Sequence, residues 1–295
     1  MPWFFFAFIP AIGDALGNIF DGHFSNKHFK NPWILLFYSG ITELLFLPVV
    51  LLYRLPVIFS PKIIALFAVV ALLDFFTLIF YYQALKEDDT SIVASLFSLG
   101  KVFVPVLAYF MVGERLTFVQ YIAFVVIIFS STLLTVSNQG GKIKFNKSLL
   151  LMCASSLIHS VEGVIYKYAL EQVDWVSGFF YVIIFSTLGF IIIAAFKYKD
   201  IKSHLMSYKN HFRLILFNSG VSFGSNLASA LAFSMAPITL VKGIFATQPF
   251  FVILLTYLLR PRFKAEYRER MDAGNMIKKL VLFSVILVAL LFVVY

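Results

Sequence analysis

The chain has 295 residues, of which 61% are hydrophobic and 18% aromatic, and only 13% are charged. A soluble globular protein is nearer half apolar and about a quarter charged, so this composition excludes a water-soluble domain as the bulk of the chain. The net charge of +9 is not a nucleic-acid signal, because most of it falls in short loops between apolar runs, where basic residues set membrane topology.

The apolar residues come in runs of about 20, the length of a helix that crosses a ~30 Å hydrocarbon core. The first predicted span, 3–24, opens MPWFFFAF with no basic n-region and no small-residue cleavage site, and is expected to remain as a span. Asp14, Asn18 and Asp21 recur in it at i, i+4 and i+7 and so share one face. The second span, 33–53, carries Glu43 at mid-depth, and the third, 62–85, carries Asp74 at its centre. A polar turn over 86–90 leads to the fourth, an apolar run with Lys101 in its middle and a charged stop at Glu114-Arg115. The fifth covers 117–136. The turn NQGGKIKFNKS, 138–148, is the expected boundary between halves. The sixth span, 148–170, holds His159, Glu162 and Lys167. The seventh, 175–196, precedes a basic loop expected over 197–213. The eighth, 213–235, carries Asn218 and Asn226, and the ninth, 237–259, carries Lys242 and Gln248. A second basic segment leads to the tenth, which runs to Tyr295. The fold class expected is an all-α integral membrane protein of ten transmembrane helices.

A shift of 148 positions superposes Ala84 on Ala232, Phe97 on Phe245, Phe103 on Phe251, Leu107 on Leu255 and Tyr109 on Tyr257. A shift of 146 superposes Gly17 on Gly163, Ile19 on Ile165, Phe20 on Tyr166 and Asp21 on Lys167. The chain therefore reads as a tandem duplication, 1–139 and 140–295. Five spans per half is an odd number, so the halves enter the membrane from opposite sides, an inverted repeat with a site expected at the repeat interface near the midplane. Loop charge taken alone places both termini outside, although Arg54 and Lys62 oppose that count.

The segment YYQALKEDDTSIVASLFSLGKVFVPVLAYFMVGERLT, 81–117, with its GERL ending, and the later ALAFSMAPITLVKGIFATQPFFVILLTYLL resemble the EamA-type proteins of the drug/metabolite transporter superfamily. The resemblance covers the whole chain. It implies two inverted five-helix repeats, with spans 5 and 10 peripheral and a central cavity lined by spans 1, 3, 4, 6, 8 and 9. Lys101 stands where the family has a fourth-span proline, with Pro105 one turn on, while the second repeat keeps Pro249.

Ionisable residues at bilayer depth are expensive and mark substrate or proton routes by default. Lys101 is read either as a cation facing the cavity or as a structural partner of Asp74 or Asp14. Asp14 and Asp74 are candidate proton carriers, or acids satisfied by Asn18 or Lys101. His159 and Glu162, three apart, share a helix face; no second ligand cluster accompanies them, so no metal is expected. Lys242 either snorkels to the interface or reaches the cavity. Asp21 and Lys167, related by the repeat, are read as interfacial anchors or a gate pair. Glu43, Asn226 and Gln248 are further candidates for the cavity wall, and Tyr81 and Tyr82 are read as rings at a span end. Glu114 and Arg115 are read as a topological stop.

No Walker loop, nucleophile elbow or metal-box spacing occurs. The expectation is a secondary transporter of small organic solutes, cationic or zwitterionic, in exchange against protons or another cation, working by alternating access in the plasma (inner) membrane. It has no cofactor, no enzymatic role and no nucleic-acid partner; its partners are a small-molecule substrate and membrane lipid. The alternatives are a carrier of phosphorylated or lipid-linked substrates clamped by Lys101, Lys167 and Lys242, and a receptor or scaffold that transports nothing.

Overall fold

The computed structural model describes residues 2–29, 31–87, 93, 96–97, 99–138, 147–259, 281–282, 284–286 and 288–292. Among these residues all regular structure is helical. The opening of the fourth predicted span, the core of the 138–148 turn, the second basic segment and much of the tenth span lie outside the described residues.

The helices are α1 (Pro2–Lys27), α2 (Pro32–Glu43), α3 (Leu47–Tyr53), α4 (Pro61–Glu87), α5 (Val104–Met111), α6 (Phe118–Asn138), α7 (Lys147–Leu170), α8 (Trp175–Met235), α9 (Ile238–Phe245) and α10 (Gln248–Leu259). Among the described residues six helical stretches are each long and apolar enough to cross a membrane: Pro2–Ser25, Pro32–Tyr53, Pro61–Glu87, Lys147–Leu170, Trp175–Met235 and Ile238–Leu259. Their starts follow local chemistry. Asn31 accepts the Trp33 N–H at 3.1 Å and Pro32 opens α2, while Asp174 accepts the Ser177 N–H at 3.1 Å to open α8. A side-chain acceptor just before the first turn satisfies an orphan N–H, and proline at that point loses no bond.

Three predicted spans are broken, and each break sits where a proline removes a ladder donor. A proline has no N–H for the carbonyl four residues earlier. A 3-10 turn at Leu44–Phe46 separates α2 from α3 ahead of Pro48. A second, Leu99–Phe103, precedes α5 and Pro105. Ala246 and Thr247 separate α9 from α10 ahead of Pro249. Lys101 is therefore in a 3-10 turn at the start of the described part of its span, not midway along a continuous α-helix.

The basic stretch 197–213, expected as a loop, is helical. Residues 190–219 contain neither glycine nor proline, so nothing local ends the helix. At 61 residues, α8 is about three times the length of one crossing. It divides into two arms at Lys197, the one residue inside it with non-helical backbone angles (φ −119°, ψ 21°). The start of the second arm docks on α2: Tyr38 donates to the Ile201 carbonyl at 2.6 Å and its ring stacks on Tyr208 at 4.4 Å.

Two apolar cores lie at different heights along the same helices. One takes Trp3 and Ala7 of α1, Phe67 and Val70 of α4, Val164 to Leu170 of α7, and most of α9. The other takes Phe20 and Phe24 of α1, Ile79 to Leu85 of α4, and Leu149 and Met152 of α7. Between them each helix carries its polar residues: Asp14 and Asn18 on α1, Asp74 on α4, His159 and Glu162 on α7.

Candidate functional site

That polar layer encloses a cavity of about 270 Å³. This is close to the lower end of the ~300–1,000 Å³ usual for small-molecule pockets. Of the residues singled out from the sequence, Asp14, Asn18, Asp21, Glu43, Asp74, Lys101, His159, Glu162, Asn226, Lys242 and Gln248 all line it. Lys167 does not.

Five of these are carboxylates, and they are spread around the wall. Asp21 accepts from Asn218 Nδ2 at 3.0 Å and faces the Tyr81 hydroxyl at 3.4 Å. The shorter contact of Tyr81 is a 2.7 Å bond donated to Asn18 Oδ1. Glu43 accepts from Asn226 Nδ2 at 3.1 Å. Each of these bonds joins the first half of the chain to α8, or α4 to α1. Amide and phenol donors suit ionised carboxylates, which only accept.

The cations are held differently. Lys242 is 2% exposed; its Nζ lies 2.9 Å from His159 Nε2 and over the rings of Phe233 and Phe245, at 5.5 and 5.7 Å from their centroids. His159 Nδ1 lies 3.1 Å from Glu162 Oε2. An ammonium donating to Nε2 leaves the ring proton on Nδ1, which lies near Glu162 without a hydrogen bond to it, so the three stand in a carboxylate–imidazole–ammonium row by proximity. Gly163 leaves room for the row, since a Cβ there would lie 2.8 Å from Lys242 Cε and the lysine side chain would have to shift. Lys101, also 2% exposed, donates to the Phe245 carbonyl at 2.9 Å.

Several readings from the sequence change here. Lys242 reaches the cavity and does not snorkel. Tyr81 and Tyr82 are 3% and 4% exposed and line the cavity, not a span end at the interface. Asp21 and Lys167 do not pair with each other. Asp21 follows Phe20 of one apolar core, while Lys167 adjoins Tyr166 of the other, and Lys167 donates to the Phe233 carbonyl at 2.8 Å. The two positions matched by the internal similarity thus end up beside different apolar cores. Glu114 is more than a stop: its two oxygens accept the N–H groups of Ile238 and Thr239, at 2.8 and 3.1 Å. Burial pushes its carboxyl above the ordinary range, and those donors draw it back down.

Residues not put forward as site candidates from the sequence help to complete the wall. Ser39, Asn218, Ser219 and Tyr166 line it. Asn18 Nδ2, Ser39 Oγ, Thr77 Oγ1, His159 Nδ1, Asn218 Oδ1 and Tyr166 Oη are buried without a hydrogen-bond partner. Buried polar atoms without partners are uncommon, so six around one hollow suit a polar occupant. Asn218 was legible as a mid-span amide; Ser39 and Tyr166 carried no signal. Among the described residues no three His, Cys, Asp or Glu side chains are grouped as a metal site requires.

The profile of the EamA-like transporter family matches residues 1–136 and 146–265. The chain belongs to the EamA-like transporter family. It is a multi-pass integral membrane protein of a family of small-solute transporters. A solved structure titled only "Crystal structure of protein" is similar in fold, with a TM-score of 0.67 at 12% identity over 99% of this chain and 95% of that one. No curated protein matches the sequence.

Proposed function

We propose that this EamA-like protein is a secondary transporter of small organic cations, exchanged against protons by alternating access. The observation that carries this is the charge of the cavity. Five carboxylates (Asp14, Asp21, Glu43, Asp74 and Glu162) face it, against two lysines that already have partners. A cationic solute supplies the missing counter-charge. Tyr81, Tyr82, Phe97 and Phe179 in the wall add faces that attract ammonium groups. The carboxylates also provide sites that exchange a proton for the substrate.

The architecture proposed with it is ten spans in two inverted five-helix repeats, 1–139 and 140–295, seated in the plasma (inner) membrane. Support comes from the 148-position internal similarity and from the two separate stretches matched by the family profile. The half-bundles would rock about the polar layer, opening one apolar core at a time.

A zwitterionic substrate is the second reading, favoured by Lys242, whose ammonium stands in the same cavity. A phosphate clamp of three lysines has less support, because Lys167 lies outside the cavity and Lys101 is held by the Phe245 carbonyl. The test is uptake of labelled amines into proteoliposomes with and without an imposed pH gradient. Uptake that is driven by the gradient and lost in Asp14→Asn and Asp74→Asn supports the reading. Flux independent of the gradient, unchanged in both variants, ends it.

A further inference from the structure

Two buried lysines share one unusual partner type, although Lys167 also lies 3.4 Å from Glu171 Oε1. Lys101 donates to the carbonyl of Phe245 and Lys167 to the carbonyl of Phe233. In a helix the N–H four residues on would serve each carbonyl. Here those residues are Pro249 and Pro237, which have none. An unserved carbonyl in hydrocarbon is costly, so each lysine supplies the donor that a proline withholds. The internal repeat sharpens the point, since the 148-position shift sets Lys101 opposite Pro249. One half of the duplication has the proline that frees a carbonyl, and at the matching position the other half has the ammonium that fills it.

The same two prolines bound α9, an eight-residue helix. Its free N-terminal N–H groups, at Ile238 and Thr239, are accepted by Glu114. Its last carbonyl, at Phe245, is taken by Lys101. A carboxylate at the N-terminus and an ammonium at the C-terminus are the signs that the helix dipole favours. Both side chains come from the same stretch of the first half, 99–114. Lys167 fixes Phe233, at the end of α8 just before α9. The rings of Phe233 and Phe245, 5.7 Å apart, are the two that flank Lys242 Nζ. The three clamps thus hold the two backbones whose side chains frame the cavity lysine.

We propose that Lys101, Glu114 and Lys167 are positioning residues that hold α9 as a discrete segment between two proline joints, and so set where Lys242 stands in the cavity. They act through backbone groups of the second half and do not bind substrate. The inference does not depend on which solute is carried.

The test restores the missing donor. In Lys101→Met the Phe245 carbonyl is orphaned, and the apparent melting midpoint of purified protein in nanodiscs should fall by several degrees. Adding Pro249→Ala to that variant returns an N–H at 249 and should recover most of the loss; the lysine alone would be a generic packing group if it did not. Lys167→Met with Pro237→Ala is the parallel pair. Hydrogen exchange gives a second measurement, in case a joint variant fails to fold. Glu114→Gln should raise exchange at the Ile238 and Thr239 amides by about tenfold, the order expected for a lost charge-assisted bond, and leave 61–87 unchanged. Additive losses in the double variants, or unchanged exchange at those amides, would overturn the proposal. None of these readouts uses transport, so they stand or fall apart from the proposed substrate.

Discussion

Asn218 Nδ2 donates to Asp21 Oδ1 at 3.0 Å, joining the second arm of α8 to α1 across the cavity. The bond closes one side of the polar layer and orients a carboxylate that also faces Tyr81. Asn218 is 3% exposed, so it has no bulk water as a ready substitute, while Asp21 is partly buried. Asn218→Ala should therefore cost ~1–3 kcal/mol, the range for removing one partner from a buried charge-assisted bond. Asp21→Asn keeps an acceptor and should cost less. The apparent melting midpoints of the two variants, measured side by side, check the order.

Glu162 stands at the end of the row that runs through His159 to Lys242. Glu162→Gln keeps the shape and removes the ionisable group. Gradient-driven uptake should drop to the rate seen without a gradient, while counterflow of substrate against substrate continues. Uptake that still responds to the gradient would remove Glu162 from the coupling step.

Gly100 is where the fourth span meets α7. A Cβ at this position would overlap the backbone of Ser156, which cannot rotate away as a side chain could. Gly100→Ala should destabilise by ~1–3 kcal/mol or more, as overpacking does in a tight core, and should shift the adjacent Lys101. Yield of monodisperse protein and the melting midpoint read the effect.

Gly113 differs in kind. Its φ is +72° and no atom lies within 4 Å of a built Cβ. The cost of Gly113→Ala is then backbone strain alone, ~1–2 kcal/mol. Gly113→Asn should cost less, because asparagine tolerates the left-handed region better. Equal losses for the two would point to something other than backbone strain. The turn matters because it delivers Glu114 to the N-terminus of α9.

The sequence by itself determined a great deal. Hydrophobic run length and loop charge depend only on local composition, so the membrane class followed without coordinates. The intramembrane charges were equally plain, because lipid tolerates none of them without cause; all but one of those named do line a single cavity. Three of the helix breaks fall just ahead of Pro48, Pro105 and Pro249, yet Pro10 sits inside an unbroken α1, so the lost donor marks where a break can form and does not by itself impose one. What only the tertiary structure decided is pairing. Lys101 and Lys242 are both lysines in apolar runs, yet one serves a carbonyl 144 residues away and the other a histidine 83 residues away. Lys167 carried the same signal and turned out to face a backbone oxygen outside the cavity. Glu114 looked like a charged stop because its acceptors' partners, two N–H groups of α9, belong to the other half of the chain. Which group answers a buried charge depends on the packing of distant helices, and no local pattern encodes that.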